Sequence, residues 1–240
     1  MRYSLISASV LVLAACGAPT ATDAAPETPA AAPVAAEATA GPDAPAPVDV
    51  KYPKAGTYQS DPTHTSVTWT VKHLGLSDDT SRFDVTDAKL VLNPDDVALS
   101  TLNVTIDPNS IDPYYPADYK AALPDSGFDS WQDDLAHSER WFNANAFPKI
   151  TYVSTGVEKT GPDTATVIGD LTLLGVTRPI TLDVKYNGVM NFPNAPDVDR
   201  IGFSATATLK RSDFGMSAVS AFVGDDVNIM IETELTEVTE

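Results

Sequence analysis

From Val67 to Leu235 the chain alternates apolar and polar residues in run after run. Val67, Trp69, Val71 and His73 alternate with Thr68, Thr70 and Lys72; Leu102, Val104 and Ile106 alternate with Asn103 and Thr105. Ile150 and Tyr152 follow, then Ile180, Leu182, Val184 and Tyr186. The last two runs are Ile201, Phe203, Ala205, Ala207, Leu209 and Val227, Ile229, Ile231, Leu235. Successive side chains of an extended strand point to opposite faces, so each run predicts a strand with one dry and one wet face, the antiparallel habit.

Short turn signals separate the runs: Asn93-Pro94-Asp95-Asp96, Gly161-Pro162-Asp163 and Asn187-Gly188 read as turns, and Asn191 to Asp199 as a longer loop. Helical spacing occurs once, in Trp131, Leu135, Ser138 and Phe142, with Asp129 or Ser130 placed to cap. The expectation is an all-β, antiparallel, eight-stranded barrel with one short helix, because closure removes the sheet edges that so many strands would otherwise leave. Phe83 and Val85 share one parity while Ala88, Leu90 and Leu92 share the other, which predicts a one-residue bulge near Asp87.

The first residues are of another kind. A basic start at Arg2, an apolar run from Leu5 to Leu13 and Leu13-Ala14-Ala15-Cys16 form the pattern of a signal peptide over residues 1–15, and the last four resemble the lipobox of bacterial lipoproteins. The apolar run is shorter than the roughly 20 residues a spanning helix needs. Cys16 is the only cysteine, so it has no disulfide partner in the chain and is expected to carry the lipid. From Gly17 to Val50 there is no aromatic residue and mostly Ala, Pro, Thr, Glu and Asp, a composition that cannot bury enough surface to order itself. Residues 16–51 are therefore expected to be a lipidated tether, reaching about 30 Å as a coil and about 100 Å as polyproline II. Residues 52–240 are left for the barrel. A formal charge of −18 argues against nucleic acid as a partner.

Several stretches together resemble one family, the YceI-like proteins of the bacterial periplasm. These are Asp61-Pro62-Thr63-His64-Thr65-Ser66-Val67, Val71-Lys72-His73-Leu74-Gly75, Ser138-Glu139-Arg140-Trp141-Phe142-Asn143 and Phe147-Pro148-Lys149-Ile150-Thr151-Tyr152. Gly169 to Pro179, Lys210 to Met216 and Val223 to Val227 extend the likeness over the whole domain. The resemblance implies a lipocalin-like barrel that binds a polyisoprenoid or related long-chain lipid. Two places depart from the family: Ser81-Arg82-Phe83 stands where a glycine usually opens the second strand, and Leu135 stands where the family carries a histidine, with His137 two residues later.

No nucleophile elbow, zinc-helix motif or phosphate loop is present in the sequence, and the three histidines His64, His73 and His137 are scattered. No catalytic residue, metal ligand or cofactor is expected. The resemblance favours Trp69, Val71, His73, Phe83, Phe142, Tyr152, Phe203 and Phe214 as walls of a lipid pocket and Arg211 as a head-group contact. Arg211 with Asp213 also fits a simple turn and ion pair, and the aromatic residues also fit a filled core. Asp107 to Ser130, with four prolines and three tyrosines, is either a lid or an insertion packed on the barrel end. The expected partners are a long-chain lipid and, through Cys16, a membrane, with a homodimer open. Gly17 rather than aspartate after Cys16 favours the periplasmic face of an outer membrane. A histidine- or metal-dependent envelope enzyme and a partner-binding module on a stalk are the competing readings.

Overall fold

The computed structural model of the chain describes residues 52–239. The signal peptide, the tether and the lipidated Cys16 expected from sequence lie outside the described residues. Ten strands form: β1 (Gly56–His73), β2 (Ser77–Phe83), β3 (Thr86–Leu92), β4 (Thr101–Ile106), β5 (Ile111–Asp112), β6 (Ile150–Lys159), β7 (Thr164–Leu173), β8 (Val176–Phe192), β9 (Ala195–Lys210) and β10 (Val223–Glu237). Two helices accompany them, α1 (Tyr119–Ala122) and α2 (Trp131–His137).

All pairings are antiparallel, and they close. Around the barrel the order is β1, β3, β4, β6, β7, β8, β9, β10, with β10 returning to pair along most of β1, Tyr58 opposite Glu237 and Val71 opposite Val227. β2 and β3 are two halves of one stave: β3 pairs with the start of β1, Gly56 to Gln59, and β2 with its end, Val67 to His73. The result is the expected eight-stave antiparallel barrel.

The break in the second stave lies at Asp84–Val85, ahead of the bulge expected near Asp87. Phe83 and Thr86 are both buried, so the parity switch occurs between them, and Val85 is left 56% exposed rather than inward. Ser110 holds the kink, its Oγ accepting the Val85 amide at 2.9 Å and its carbonyl the Asp84 amide at 3.1 Å.

Two loop expectations are corrected in the same way. Asn187-Gly188 is no turn: β8 runs through it with a register shift between Tyr186 and Gly188, where Gly188 takes φ +135°. Asn191 to Asp199 is no long loop either, because β8 and β9 meet in a tight hairpin with Phe192 opposite Ala195. Pro196 is tolerated there because β10 pairs with β9 only from Arg200 onward, leaving that side of the strand free of ladder bonds.

The helix also is shorter than its spacing suggested. Ser130 caps α2, its Oγ accepting the Asp133 amide, but the helix stops at His137 instead of reaching Phe142. The chain then doubles back, and the amides of Phe142 and Ala144 donate to the end-of-helix carbonyls of Leu135 and Ala136 at 3.1 and 2.7 Å. Phe142 thus reaches the core through a turn. The second helix, α1, is a four-residue turn capped by Asp118 that the proline-rich sequence did not announce.

One end of the barrel is closed by this material. Ala136 and Phe142 pack with Val67, Phe83, Ile111, Ile150, Leu173, Leu209, Phe214 and Met216 into a plug. The ring of Phe142 meets Phe83 edge-on at 5.2 Å. Asp107 to Ser130 belongs to this closed end: β5 pairs Ile111 with Phe83, and Tyr115 and Tyr119 meet the Trp131 ring edge-on at 4.7 and 4.9 Å. The opposite end carries the hairpins β3–β4, β6–β7 and β8–β9 and both termini of the domain.

Glycines in the Gly169 to Gly175 stretch have steric work. A Cβ on Gly169 would lie 2.6 Å from the Val153 carbonyl oxygen and 2.7 Å from the Tyr152 hydroxyl, so only glycine lets β6 and the tyrosine ring approach β7. Leu174 and Gly175 both take left-handed φ, +52° and +72°, in the β7–β8 turn.

Candidate functional site

Between plug and open end the barrel encloses a cavity of about 220 Å³. Ala88, Leu90, Leu102, Val104, Val167, Leu182, Ala205, Ile229 and Ile231 supply most of the wall, each from the apolar parity of its strand. Four hydroxyl-bearing wall residues turn their oxygens to each other or to backbone. Thr65 Oγ1 meets Thr233 Oγ1 at 2.8 Å, Ser100 Oγ accepts the Asn93 amide, and the Tyr152 hydroxyl donates to the Val167 carbonyl at 2.8 Å. Burial, reinforced by the charge of Asp170, pushes the Tyr152 phenol up to about 12, so it stays neutral. Thr86 Oγ1 is buried with no hydrogen-bond partner among the described residues. The surface offered to a guest is hydrocarbon, which recognises apolar chains by burial alone.

A smaller vestibule of about 100 Å³ adjoins this cavity at the open end, and the two share Leu92, Val97, Ala165, Val184 and Phe203. Tyr52, Pro53, Lys159 and Asp163 form its outer rim. The segment bearing Tyr52 and Pro53 is fastened there by Lys54, whose amide donates to Asp199 Oδ2 at 2.9 Å and whose ammonium lies 3.0 Å from Glu237 Oε2.

Of the residues expected from sequence to face a ligand, Tyr152 and Phe203 line the cavity. Phe83, Phe142 and Phe214 lie in the plug, and Trp69 packs against it, 6.2 Å from the Phe142 ring. Val71 is buried where β1 approaches the closed end, and His73 is half-buried at the end of β1, opposite Val223 and Ser77. Arg211 is 4% exposed and lines neither of these two cavities. Its guanidinium donates to the carbonyls of Gly224, Met216, Ala218 and Val223 at 2.8 to 3.0 Å, tying the loop between β9 and β10 to the barrel end. Burial lowers its pKa from the ordinary arginine value. Most of the wall is built of alanine, valine, leucine and isoleucine that sequence reasoning did not single out, although their parity marked them as inward.

The histidines sit apart. His64 belongs to a bulge, Asp61 to His64, where Asp61 Oδ1 accepts both the amide and the hydroxyl of Thr63 at 2.8 and 2.6 Å. His137 Nδ1 pairs with Asp133 Oδ1 at 2.8 Å. Among the described residues, Asp61, His64 and Glu234 bring potential ligand atoms within 4.8 Å of one another. Arg200 Nη1 already lies 2.8 Å from Asp61 Oδ2 and 3.0 Å from Glu234 Oε2, so a fixed cation satisfies both carboxylates. The Thr63 hydrogen bonds, then those of His64 and Arg200, hold the Asp61 carboxyl well below its usual range.

Comparisons with known proteins agree with this architecture. A family model described as a YceI-like domain matches residues 58–235. A UPF0312 protein of Yersinia pestis is 30% identical over 175 residues, covering 73% of this chain and 82% of that protein. The crystal structure of the Campylobacter jejuni YCEI protein superposes with TM-score 0.57 at 27% identity, covering 70% of this chain and 90% of that one. A domain from Saccharophagus degradans, described as polyisoprenoid-binding and implicated in plant cell wall breakdown, shares the fold with TM-score 0.52 at 13% identity, covering 78% and 100%. Matched from the first barrel strand to the last, the chain belongs to the YceI-like domain family.

Proposed function

We propose that the protein holds one long apolar chain, of polyisoprenoid type, in the barrel as a carrier or store rather than transforming it. The observation that carries this reading is the cavity itself: enclosed by eight staves, plugged at one end, open at the other and walled by hydrocarbon. Each isoprene unit moved from water into such a wall gains on the order of 25 cal/mol per Å² of buried surface, so several units give firm retention without polar contacts. The shared fold of the polyisoprenoid-binding Saccharophagus domain supports the same class of guest. Family membership supports a binding protein over an enzyme.

The proposal includes location. The lipobox-like Leu13-Ala14-Ala15-Cys16 supports attachment to an envelope membrane through acylated Cys16, and the composition of residues 17–50 supports a tether long enough to let the barrel work away from the surface.

Organic extraction of natively purified protein followed by mass spectrometry tests the reading. A prenyl or comparable long-chain lipid is expected from the wild type and not from Ala205→Phe, which fills the wall where Ala205 lines the cavity. A wild-type protein that yields no lipid and takes up none from prenyl alcohols added in solution overturns it.

A further inference from the structure

The cavity has no polar surface for the end group that every prenyl amphiphile carries. The Thr65, Thr233, Ser100 and Tyr152 hydroxyls are engaged elsewhere, the Thr86 hydroxyl is a single buried group, and the far end is sealed by the plug, so a charged end group driven inward would lose its water with little to replace it. The end group must therefore stay at the open end, in the vestibule.

Charged side chains in the vestibule lining are Lys159 and Asp163. Lys159 is the last residue of β6, paired with Ala165 at the top of the β6–β7 hairpin, so its backbone is fixed. Its ammonium lies over the Tyr52 ring, 5.8 Å from the centroid, and no carboxylate of a described residue lies within ion-pair distance. Four of the eight described lysines, Lys54, Lys72, Lys120 and Lys210, each have a carboxylate beside them. Lys89, Lys149 and Lys185 also lack an ion pair among the described residues, but none of them lines either cavity.

We propose that the guest is an amphiphile with an anionic end, such as a phosphate monoester, seated in the vestibule with the Lys159 ammonium as its counter-ion and Tyr52 beneath it. This deepens the lipid-holding reading and rests on it. The negative charge of the whole chain does not oppose it, because at physiological salt charges beyond about 8 Å are largely screened. Asp163 sets the local opposition and tempers the selectivity.

The test compares geranylgeranyl monophosphate with geranylgeraniol, identical in tail, by displacement of a fluorescent fatty probe from the full chain. Wild type is expected to prefer the monophosphate about fivefold, the scale of one solvent-accessible ion pair. Lys159→Met, which keeps the apolar stem, is expected to abolish the preference; Lys159→Glu to reverse it; and Asp163→Asn to increase it. Equal wild-type affinity for the two compounds, or a preference that survives in Lys159→Met, overturns the end-group assignment while leaving the lipid-holding reading intact. If neither compound binds, the reading falls and the assignment with it.

Discussion

The Tyr119 hydroxyl donates to Asp134 Oδ2 at 2.9 Å, and the same carboxylate takes both of its oxygens to Arg140 Nη2 at 3.0 and 3.1 Å. This pair joins α1 to α2 and so fixes the proline-rich segment on the closed end. Tyr119→Phe is expected to cost about 1 kcal/mol and Asp134→Ala about 2 kcal/mol, the second including the loss of a charge-assisted bond to a half-exposed arginine. Urea unfolding monitored by tryptophan fluorescence would show the midpoint falling with unchanged slope.

Arg211 holds four carbonyls at once. Removing it leaves buried acceptors without donors, so Arg211→Met is expected to destabilise by about 3 kcal/mol or more, and Arg211→Lys to recover little because an ammonium lacks the planar fork. Lipid retention by whatever folded protein remains is expected to match wild type, since the guanidinium lines neither cavity. Selective loss of lipid from a stably folded Arg211→Lys protein would contradict this placement.

Thr86→Val should raise stability. The substitution keeps the shape and deletes a buried hydroxyl that has no partner, a group that costs about 1 kcal/mol or more to hold dry. Thermal unfolding should show a higher midpoint for the variant, and a lower one would mean that the hydroxyl is satisfied in solution.

Stability should fall at both ends of the pH scale. Tyr152 and Tyr186 are both pushed up to about 12 by burial, with nearby carboxylates adding to it. The folded chain therefore holds these protons more tightly than the unfolded one, whose phenols titrate near 10, and their contribution is complete below about pH 10 and lost as pH rises through 12. In the acid limb the signs reverse: Asp61 and Asp225 are depressed, Asp225 chiefly by the Ser212 amide and hydroxyl, so their contribution is present above the ordinary carboxylate range and lost as pH falls below it. Chemical denaturation across pH should show a plateau from about pH 5 to 9, and Tyr152→Phe should flatten its alkaline side.

The barrel was legible because period-two alternation is a property of single residues, and closure follows from it by elimination of edges. Phe203, Ala205, Ala207 and Leu209 face inward in the structure as their parity required. What alternation cannot encode is position along a stave. Phe83 and Tyr152 carry the same inward signal, yet one belongs to the plug and the other to the cavity, because the difference depends on where Phe142 folds back from α2. Turn chemistry misled for a related reason: Asn187-Gly188 and Pro196 suit turns locally, but the long hairpin ladder between β8 and β9 draws them into those strands. Arg211 looked like a surface charge because its partners are carbonyls, which leave no mark in a sequence.

The fastening of Lys54 to Asp199 and Glu237 has a mechanical side. A pull on the chain at residue 52 enters the barrel at its rim and is passed at once to β9 and β10, so tension spreads across the seam where β10 closes on β1 instead of peeling β1 away from its end. The plug, with Asp134 and Arg211, lies at the far end from this attachment. Strain applied through the N-terminal segment is thus felt first at the vestibule, where the proposed guest would place its end group.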